Sequence, residues 1–308
     1  MPDAERGVVL RGTGGVWQVH VASGATHDAA LRGRLKKEEG IKLAVGDEVA
    51  LERDEQSGAW TIAEILPRRS KLARRAPGGR YGERVVAANV DQIVVVFAVA
   101  EPEPHPRLLD RFLVIAAAND LPALVVINKA DLADDAAVRA RFADYVRAGY
   151  ALHVTSVSRR AGLEELHAAL AGRVSVLTGP SGVGKSSLLN AIYPGLNLRV
   201  GEISRSVMKG RHTTVGADMH PLAGDTYVVD TPGLREVGMW ALSPDELDRC
   251  FLELRPHLGL CRFGDCAHRG EPECAVRGAV ATGQVSRTRY DSYLKLRAEL
   301  EDGAPGEW

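Results

Sequence analysis

Gly179-Pro180-Ser181-Gly182-Val183-Gly184-Lys185-Ser186-Ser187 follows the apolar run Val174–Thr178 and leads into Leu188-Leu189-Asn190-Ala191-Ile192. A short apolar run ending at glycine reads as a buried parallel strand. The residues after Lys185 place apolar side chains on one face of a first helical turn. Between the two, Gly179, Gly182 and Gly184 let the backbone curl so that successive N–H groups point inward. The helix N-terminus adds partial positive charge at the same place. Lys185 is positioned to neutralise β- and γ-phosphates, and the Ser186 hydroxyl to ligate Mg²⁺. A glycine-rich turn with no ligand is the alternative, and the complete strand–loop–helix context weighs against it.

Asn128-Lys129-Ala130-Asp131 stands ahead of this loop, delivered by the apolar residues 123–127. A carboxylate at 131 can accept two hydrogen bonds from guanine, one from the ring N–H and one from the amino group. Adenine offers neither, so a buried Asp131 would be left unpaired and adenine rejected. Asn128 is expected at the base edge and Lys129 along its plane. Alone, this four-residue match also suits a polar helix cap; beside a complete phosphate loop it favours GTP over ATP. The run 151–154 leads into Thr155-Ser156-Val157, where a backbone amide of Ser156 or Val157 is expected to support the guanine carbonyl oxygen.

A third strand, 226–230, ends in Asp230-Thr231-Pro232-Gly233. Asp230 is placed to hold the Mg²⁺ shell through water, and the Gly233 N–H to reach a γ-phosphate and release it. Gly210-Arg211-His212-Thr213-Thr214 lies on a loop long enough to be a first switch; of Thr213 and Thr214, Thr213 is the expected Mg²⁺ contact. The base reader thus comes first, the phosphate loop second and DTPG third. A guanine-nucleotide domain ordinarily runs the other way, so the order predicts a circularly permuted α/β P-loop GTPase domain, over residues 68–241.

The remaining chain frames this domain. With 308 residues, 45% hydrophobic and 26% charged, it has room for two or three domains. No apolar stretch approaches a membrane span and the N-terminus lacks a signal-peptide pattern, so a cytoplasmic location is expected. A formal net charge of −1 gives no global attraction to nucleic acid, so any RNA contact must be local. Residues 1–67 read as an OB-type β-barrel, a common RNA platform, with strands at 8–10, 16–21 and 47–51 and a final pair around 60–65. An inert scaffold barrel is the competitor. Arg68, Arg69, Lys71, Arg74 and Arg75 follow as a basic run, either a solvated linker or a contact for phosphate backbone.

Residues 242–308 carry Cys261, Cys266, His268 and Cys274 in the spacing C-x4-C-x-H-x5-C. Three thiolates and an imidazole complete a tetrahedral zinc site with no open position, which favours a structural Zn²⁺ over free cytosolic thiols. The module is expected to be mainly helical. Cys250 falls in an amphipathic, helical-looking stretch, 247–252, and reads as a core residue. Residues 285–300 also look helical, with Tyr290, Tyr293, Leu294 and Leu300 as a packing stripe that docks on the body.

With NKAD before GPSGVGKS, then GRHTT, DTPG and the Cys/His cluster, the chain closely resembles the bacterial RsgA (YjeQ) family of circularly permuted GTPases over nearly its whole length. The resemblance implies an OB-fold and a monomeric GTPase stimulated by the small ribosomal subunit. It also implies contact with the subunit's 16S rRNA and a role in its late maturation. Val157 stands where the family often has a smaller residue. An RNA-binding factor that uses GTP only as a switch ligand is the rival function, and an ATP-using P-loop protein is disfavoured by Asp131. Many GTPases carry a water-positioning glutamine after the DxxG glycine, but here that position is Leu234, so slow intrinsic hydrolysis is expected. His212 on the GRHTT loop, or a group donated by the ribosome, must then place the water; a solvent-exposed histidine is the alternative reading. Because the chain leaves for the zinc module from Leu234 onward, movement at Gly233 is also expected to pull on that module.

Overall fold

The computed structural model describes residues 5–33, 42–75, 83–196, 198, 217–231 and 242–302. His212, Thr213, Thr214, Gly233 and Leu234 lie outside the described residues.

Five strands, β1 (Glu5–Thr13), β2 (Val16–Val21), β3 (Thr26–Leu31), β4 (Glu48–Arg53) and β5 (Trp60–Ile65), close into a barrel in the order β1-β2-β3-β5-β4. Alternate residues fill it: Val9, Val19, Val21, Ala29, Val49, Leu51 and Ile62 form its core. Gly14 and Gly15, both at positive φ, make the two-residue β1–β2 turn that the right-handed strand twist requires. The strand count matches expectation but its placement does not. Residues 60–65 form one strand, and the fifth is β3, Thr-His-Asp-Ala-Ala-Leu. That segment contributes Ala29 to the barrel core with Leu31 packed against it, too short an apolar alternation to read; it is held by backbone pairing with β2 and, in parallel, with β5.

Past the barrel, β6 (Lys71–Arg75) pairs with β7 (Glu83–Ala88). The expected linker is therefore partly a strand, and three of its cations are engaged within the chain. Arg68 grips both oxygens of the fully buried Asp47, at 2.6 and 2.8 Å. Arg69 pairs with Asp91 and donates to the Asn89 carbonyl at 2.7 Å, while Lys71 pairs with Glu83. Gly46, at φ +86°, lies against Ala88, where a Cβ would stand 2.2 Å from the carbonyl oxygen. Only glycine permits that approach. The barrel is consequently joined closely to the next domain.

The central sheet has the order β10-β9-β8-β11-β13-β12, built from β8 (Gln92–Ala98), β9 (Ala123–Asn128), β10 (Ala151–Val154), β11 (Val174–Thr178), β12 (Asp218–Pro221) and β13 (Tyr227–Asp230). All pairings are parallel except that of the edge strand β12. Helices α1 (Pro106–Ala118), α2 (Asp135–Arg141), α3 (Ala143–Arg147), α4 (Leu163–Leu170) and α5 (Lys185–Ile192) accompany it. Apolar clusters cover both faces, which is why β8 is buried at every residue. The permutation is visible in the topology: β11, fourth of these strands along the chain, inserts between β8 and β13. Val8 and Leu10 of the barrel share a core cluster with Met219 and Tyr227, so the barrel rests on the β12 edge.

The C-terminal module has short 3-10 turns at Pro244–Glu246, Asp248–Cys250 and Arg255–His257, then α6 (Ala275–Ala281) and α7 (Arg287–Asp302). Residues 247–252 are thus not a regular helix, although Cys250 is buried in the module's core as expected. Tyr290, Tyr293 and Leu296 of α7 are buried; Leu294 and Leu300 flank them. The helix docks on the body through Arg289, which is 2% exposed. Arg289 pairs with Asp110 of α1 and with Glu253 at 2.6 Å, and its guanidinium lies 4.8 Å from the Phe251 ring centre and 5.1 Å from that of Tyr145. Arg111 and Glu299 form a second pair across the same junction. Among the described residues no helix is long and apolar enough to cross a membrane.

Candidate functional site

The loops that matter leave the C-terminal edge of the parallel strands, where open α/β sheets bind ligands. From β11, Gly179 turns at φ +133° so tightly against β8 that a Cβ would sit 2.0 Å from the Val96 carbonyl oxygen. Gly182 follows at φ +80°. Gly184, at φ +94°, faces Asn128, whose Nδ2 would lie 2.6 Å from an added Cβ. Side chains are excluded at 179 and 184 both by conformation and by space, as a loop built from inward-facing amides demands.

Lys185 is buried, its ammonium donating to the carbonyls of Gly179 at 2.8 Å and Pro180 at 2.7 Å. It is thereby held over the Gly179–Gly184 loop where phosphate charge has to be neutralised. Ser186 is buried at the start of α5. In the register Leu177 pairs with Asp230, so the carboxylate at the end of β13 comes beside the start of the phosphate loop. Thr231 Oγ1 is buried with no partner among the described residues, a polar atom at the place where a hydrated ion belongs. A hydroxyl, a carboxylate and an orphaned hydroxyl are hard oxygen donors of the kind Mg²⁺ takes. Ser186 and Asp230 therefore fit that ion.

The base reader is locked to the phosphate loop. Asn128, 2% exposed, donates from Nδ2 to the Val183 carbonyl at 2.9 Å and accepts from Thr155 Oγ1 at 3.1 Å. Its amide thus braces three loops, a task beyond the base-edge contact expected from its motif. Lys129 sits in the left-handed region at φ +59° with its ammonium on the Glu101 carbonyl. Ala130 N donates to the Thr155 carbonyl at 3.1 Å. Asp131 is half-exposed rather than buried, and it accepts from Ser156 Oγ at 2.5 Å. That hydroxyl, with Ser158 and Arg159 nearby, holds the Asp131 carboxyl below the usual carboxylate range, so it stays a double acceptor. The Ser156 amide is bonded to Ala161 O at 3.0 Å, leaving the Val157 amide as the better placed of the two for the guanine oxygen.

Asn128, Lys129, Ala130, Asp131, Ser156 and Val157 are thus brought to one edge with the loop 179–187 and Asp230. Thr155, Val183 and the Glu101 carbonyl also shape the site. Val183 lies within the phosphate-loop motif, but Thr155 and Glu101 carry no motif signature, and Val183 and Glu101 act through backbone oxygens that any residue supplies.

The C-terminal cluster is equally compact. One ligand atom from each of Cys261, Cys266, His268 and Cys274 lies within 4.8 Å of all the others. Cys261 Sγ is 3.9 Å from Cys274 Sγ, and His268 Nδ1 is 3.5 and 3.4 Å from those two sulfurs. A tetrahedron of Zn–S bonds near 2.3 Å separates its sulfurs by about 3.8 Å, so the donors fit a zinc-sized tetrahedral ion. Amides of Ala275 and Arg277 donate to two of the sulfurs, and Asp248 Oδ2 lies 3.4 Å from His268 Nε2. That carboxylate selects Nδ1 as the ligating nitrogen. Tyr290 and Tyr293 hydroxyls tie the His268 and Ala267 carbonyls to α7 at 2.5 and 2.9 Å.

Relatives carry the same construction. The RsgA GTPase family model matches residues 65–240 and the RsgA N-terminal domain residues 6–61. The small ribosomal subunit biogenesis GTPase RsgA of Gemmatimonas aurantiaca is 57% identical over 303 residues, covering 97% of this chain and 99% of that one. The protein of the same name from Moorella thermoacetica is 41% identical over 298 residues, covering 96% and 97%. Among solved structures, YjeQ from Thermotoga maritima superposes with a TM-score of 0.79 at 35% identity, covering 96% of this chain and 98% of its own. YloQ, described as a circularly permuted GTPase, gives 0.77 at 29% identity, covering 99% and 98%. With the nucleotide loops assembled in permuted order and relatives matched end to end, the chain belongs to the RsgA family and is a circularly permuted GTPase.

Proposed function

We propose that this GTPase acts in late maturation of the small ribosomal subunit, and that the subunit stimulates its turnover, which is coupled to its release. The observation that carries the reading is the completeness of the site: base reader, phosphate loop and Asp230 meet at one edge, inside a chain collinear with relatives named for small-subunit biogenesis.

Asp131 reads guanine, Lys129 flanks it, and the Val157 amide meets its carbonyl oxygen. The inward amides of 179–187 cradle the phosphates with Lys185. Mg²⁺, when bound by Ser186, Thr213 and, through water, Asp230, neutralises charge developing on the phosphate oxygens. The Gly233 amide contacts the γ-phosphate. Leu234 can neither orient water nor donate a hydrogen bond, so His212 or a ribosomal group places the attacking water. Cys261, Cys266, His268 and Cys274 would hold a Zn²⁺, which would tie the 261–274 loop together.

The partner is the 16S rRNA of the subunit, met by the barrel and by the basic segment. In that segment Arg68, Arg69 and Lys71 are tied into ion pairs within the chain, and the side chains of Arg74 and Arg75 lie outside those described; Arg74 and Arg75 keep the phosphate role that the sequence suggests. The protein works as a cytoplasmic monomer. Hydrolysis measured with and without purified small subunits is the test, and equal turnover in the two would overturn the proposal.

A further inference from the structure

Arg159 lies outside every motif, yet it closes a ring around the base reader. Its backbone N–H donates to Ser156 Oγ at 3.1 Å, and Ser156 Oγ donates to Asp131 Oδ1 at 2.5 Å. Its own guanidinium returns to the same residue, Nη2 donating to the Asp131 carbonyl at 3.1 Å. A single side chain therefore fastens the main chain of Asp131 while its amide orients the hydroxyl that fastens the carboxylate. The guanidinium also places positive charge beside that carboxylate.

We propose that Arg159 is a positioning and specificity-determining residue for guanine recognition. It holds the Asp131 turn against the 155–160 loop so that both carboxylate oxygens face the guanine N1 and amino group. The proposal rests on Asp131 as the reader of guanine. The physical case is one of preorganisation. Asp131 is half-exposed and is the middle residue of a short 3-10 turn, Ala130–Leu132, whose N-terminal neighbour is the left-handed Lys129. So short a turn has little hydrogen bonding of its own, and a carboxylate on it needs outside bonds to keep its direction. Ser156 supplies one such bond from the side chain and Arg159 the other from the backbone. Losing the second lets the turn swing, which weakens the paired bonds to guanine without touching the phosphate loop.

Inosine diphosphate, which lacks the exocyclic amino group, reports on those bonds separately from the phosphates. Binding of GDP and IDP is measured by calorimetry for the wild type, Arg159→Gln, Arg159→Lys and Asp131→Asn. Arg159→Gln is expected to lower the GDP-to-IDP affinity ratio about fivefold, the worth of the amino-group hydrogen bond that only GDP makes, with a smaller loss of IDP affinity through the N1–H bond that both nucleotides share. Arg159→Lys, which keeps a donor and the charge, recovers part of the ratio. A side chain with a merely structural role would weaken both nucleotides equally, and that result overturns the proposal, as does an unchanged ratio. Arg159 is exposed, so the variants are expected to fold, which thermal melts check. If Asp131→Asn leaves the ratio intact, the reading of Asp131 itself fails. If Asp131→Asn collapses the ratio and the Arg159 variants do not, only the role of Arg159 falls.

Discussion

Asn128 and Val183 are joined by a hydrogen bond from the asparagine Nδ2 to the valine carbonyl at 2.9 Å, across 55 residues of sequence. The bond ties the end of β9 to the phosphate loop after β11, two strands away in the sheet. With Thr155 Oγ1 on its other end, Asn128 fixes the spacing of the 128–131, 155–157 and 179–187 loops. The contact joins loops that the sheet brings close together, so it does not depend on the order in which the chain visits the strands.

Asn128→Ala should therefore injure more than base recognition. It strands a buried carbonyl at Val183 and a buried hydroxyl at Thr155, each costing roughly 1–3 kcal/mol. GDP affinity should fall at least about tenfold, with a lowered melting temperature. Calorimetry and thermal unfolding check both; normal binding would show that the brace is dispensable.

Lys185→Ala and His212→Ala should separate binding from turnover. Removing the ammonium from the phosphate loop should impair nucleotide affinity and hydrolysis together. His212→Ala should bind GTP normally and lose most subunit-stimulated turnover. Full stimulated activity in that variant would shift the search to ribosomal groups.

Chelation of the Cys261–Cys266–His268–Cys274 cluster, or Cys274→Ser, should loosen the module and leave the nucleotide domain folded. A metal held by these four donors would make its affinity part of the folding free energy of the 261–274 loop. Metal analysis should find one zinc per chain in the wild type. Hydrogen exchange should rise across residues 245–302 in the variant, and unchanged protection would remove the metal from this account.

Arg289→Met should detach the C-terminal module from α1. It leaves the carboxylates of Asp110 and Glu253 buried without their cation, at a cost of about 3–5 kcal/mol. Burial already pushes the Asp110 carboxyl up despite Arg289 beside it. Combining Arg289→Met with Asp110→Leu and Glu253→Met should restore much of the stability. Thermal unfolding of the single and triple variants tests this; equal destabilisation would mean the clamp is not electrostatic.

Arg74→Gln with Arg75→Gln should flatten the salt dependence of rRNA binding by up to about two units of slope, one per phosphate contact. Arg68 is left intact, since its loss would uncover Asp47. Filter binding across a salt series gives the slope, and a wild-type value would return the segment to a purely structural role.

The sequence by itself determined the nucleotide chemistry and its permuted order. Gly179, Gly184 and Lys185 serve one loop, and Cys261, Cys266, His268 and Cys274 one short segment, so covalent spacing alone brings their chemistry together. Val174–Thr178 and 123–127 were legible as strands because burial on both sheet faces forces continuous apolar runs. Strand β3 was not legible: its pairing is backbone to backbone, and Ala29 and Leu31 alone are too short an alternation to read.

Only the tertiary structure decided how Arg68, Arg69 and Lys71 are paired and what holds the modules together. Arg68, Arg69 and Lys71 look like an open basic strip until Asp47, Asp91 and Glu83 come to meet them. Arg289 resembles any arginine of a polar helix until Asp110, 179 residues away, is folded against it. An ion pair needs only that two groups arrive within a few ångströms, and nothing in the local sequence of either partner records where the other will be.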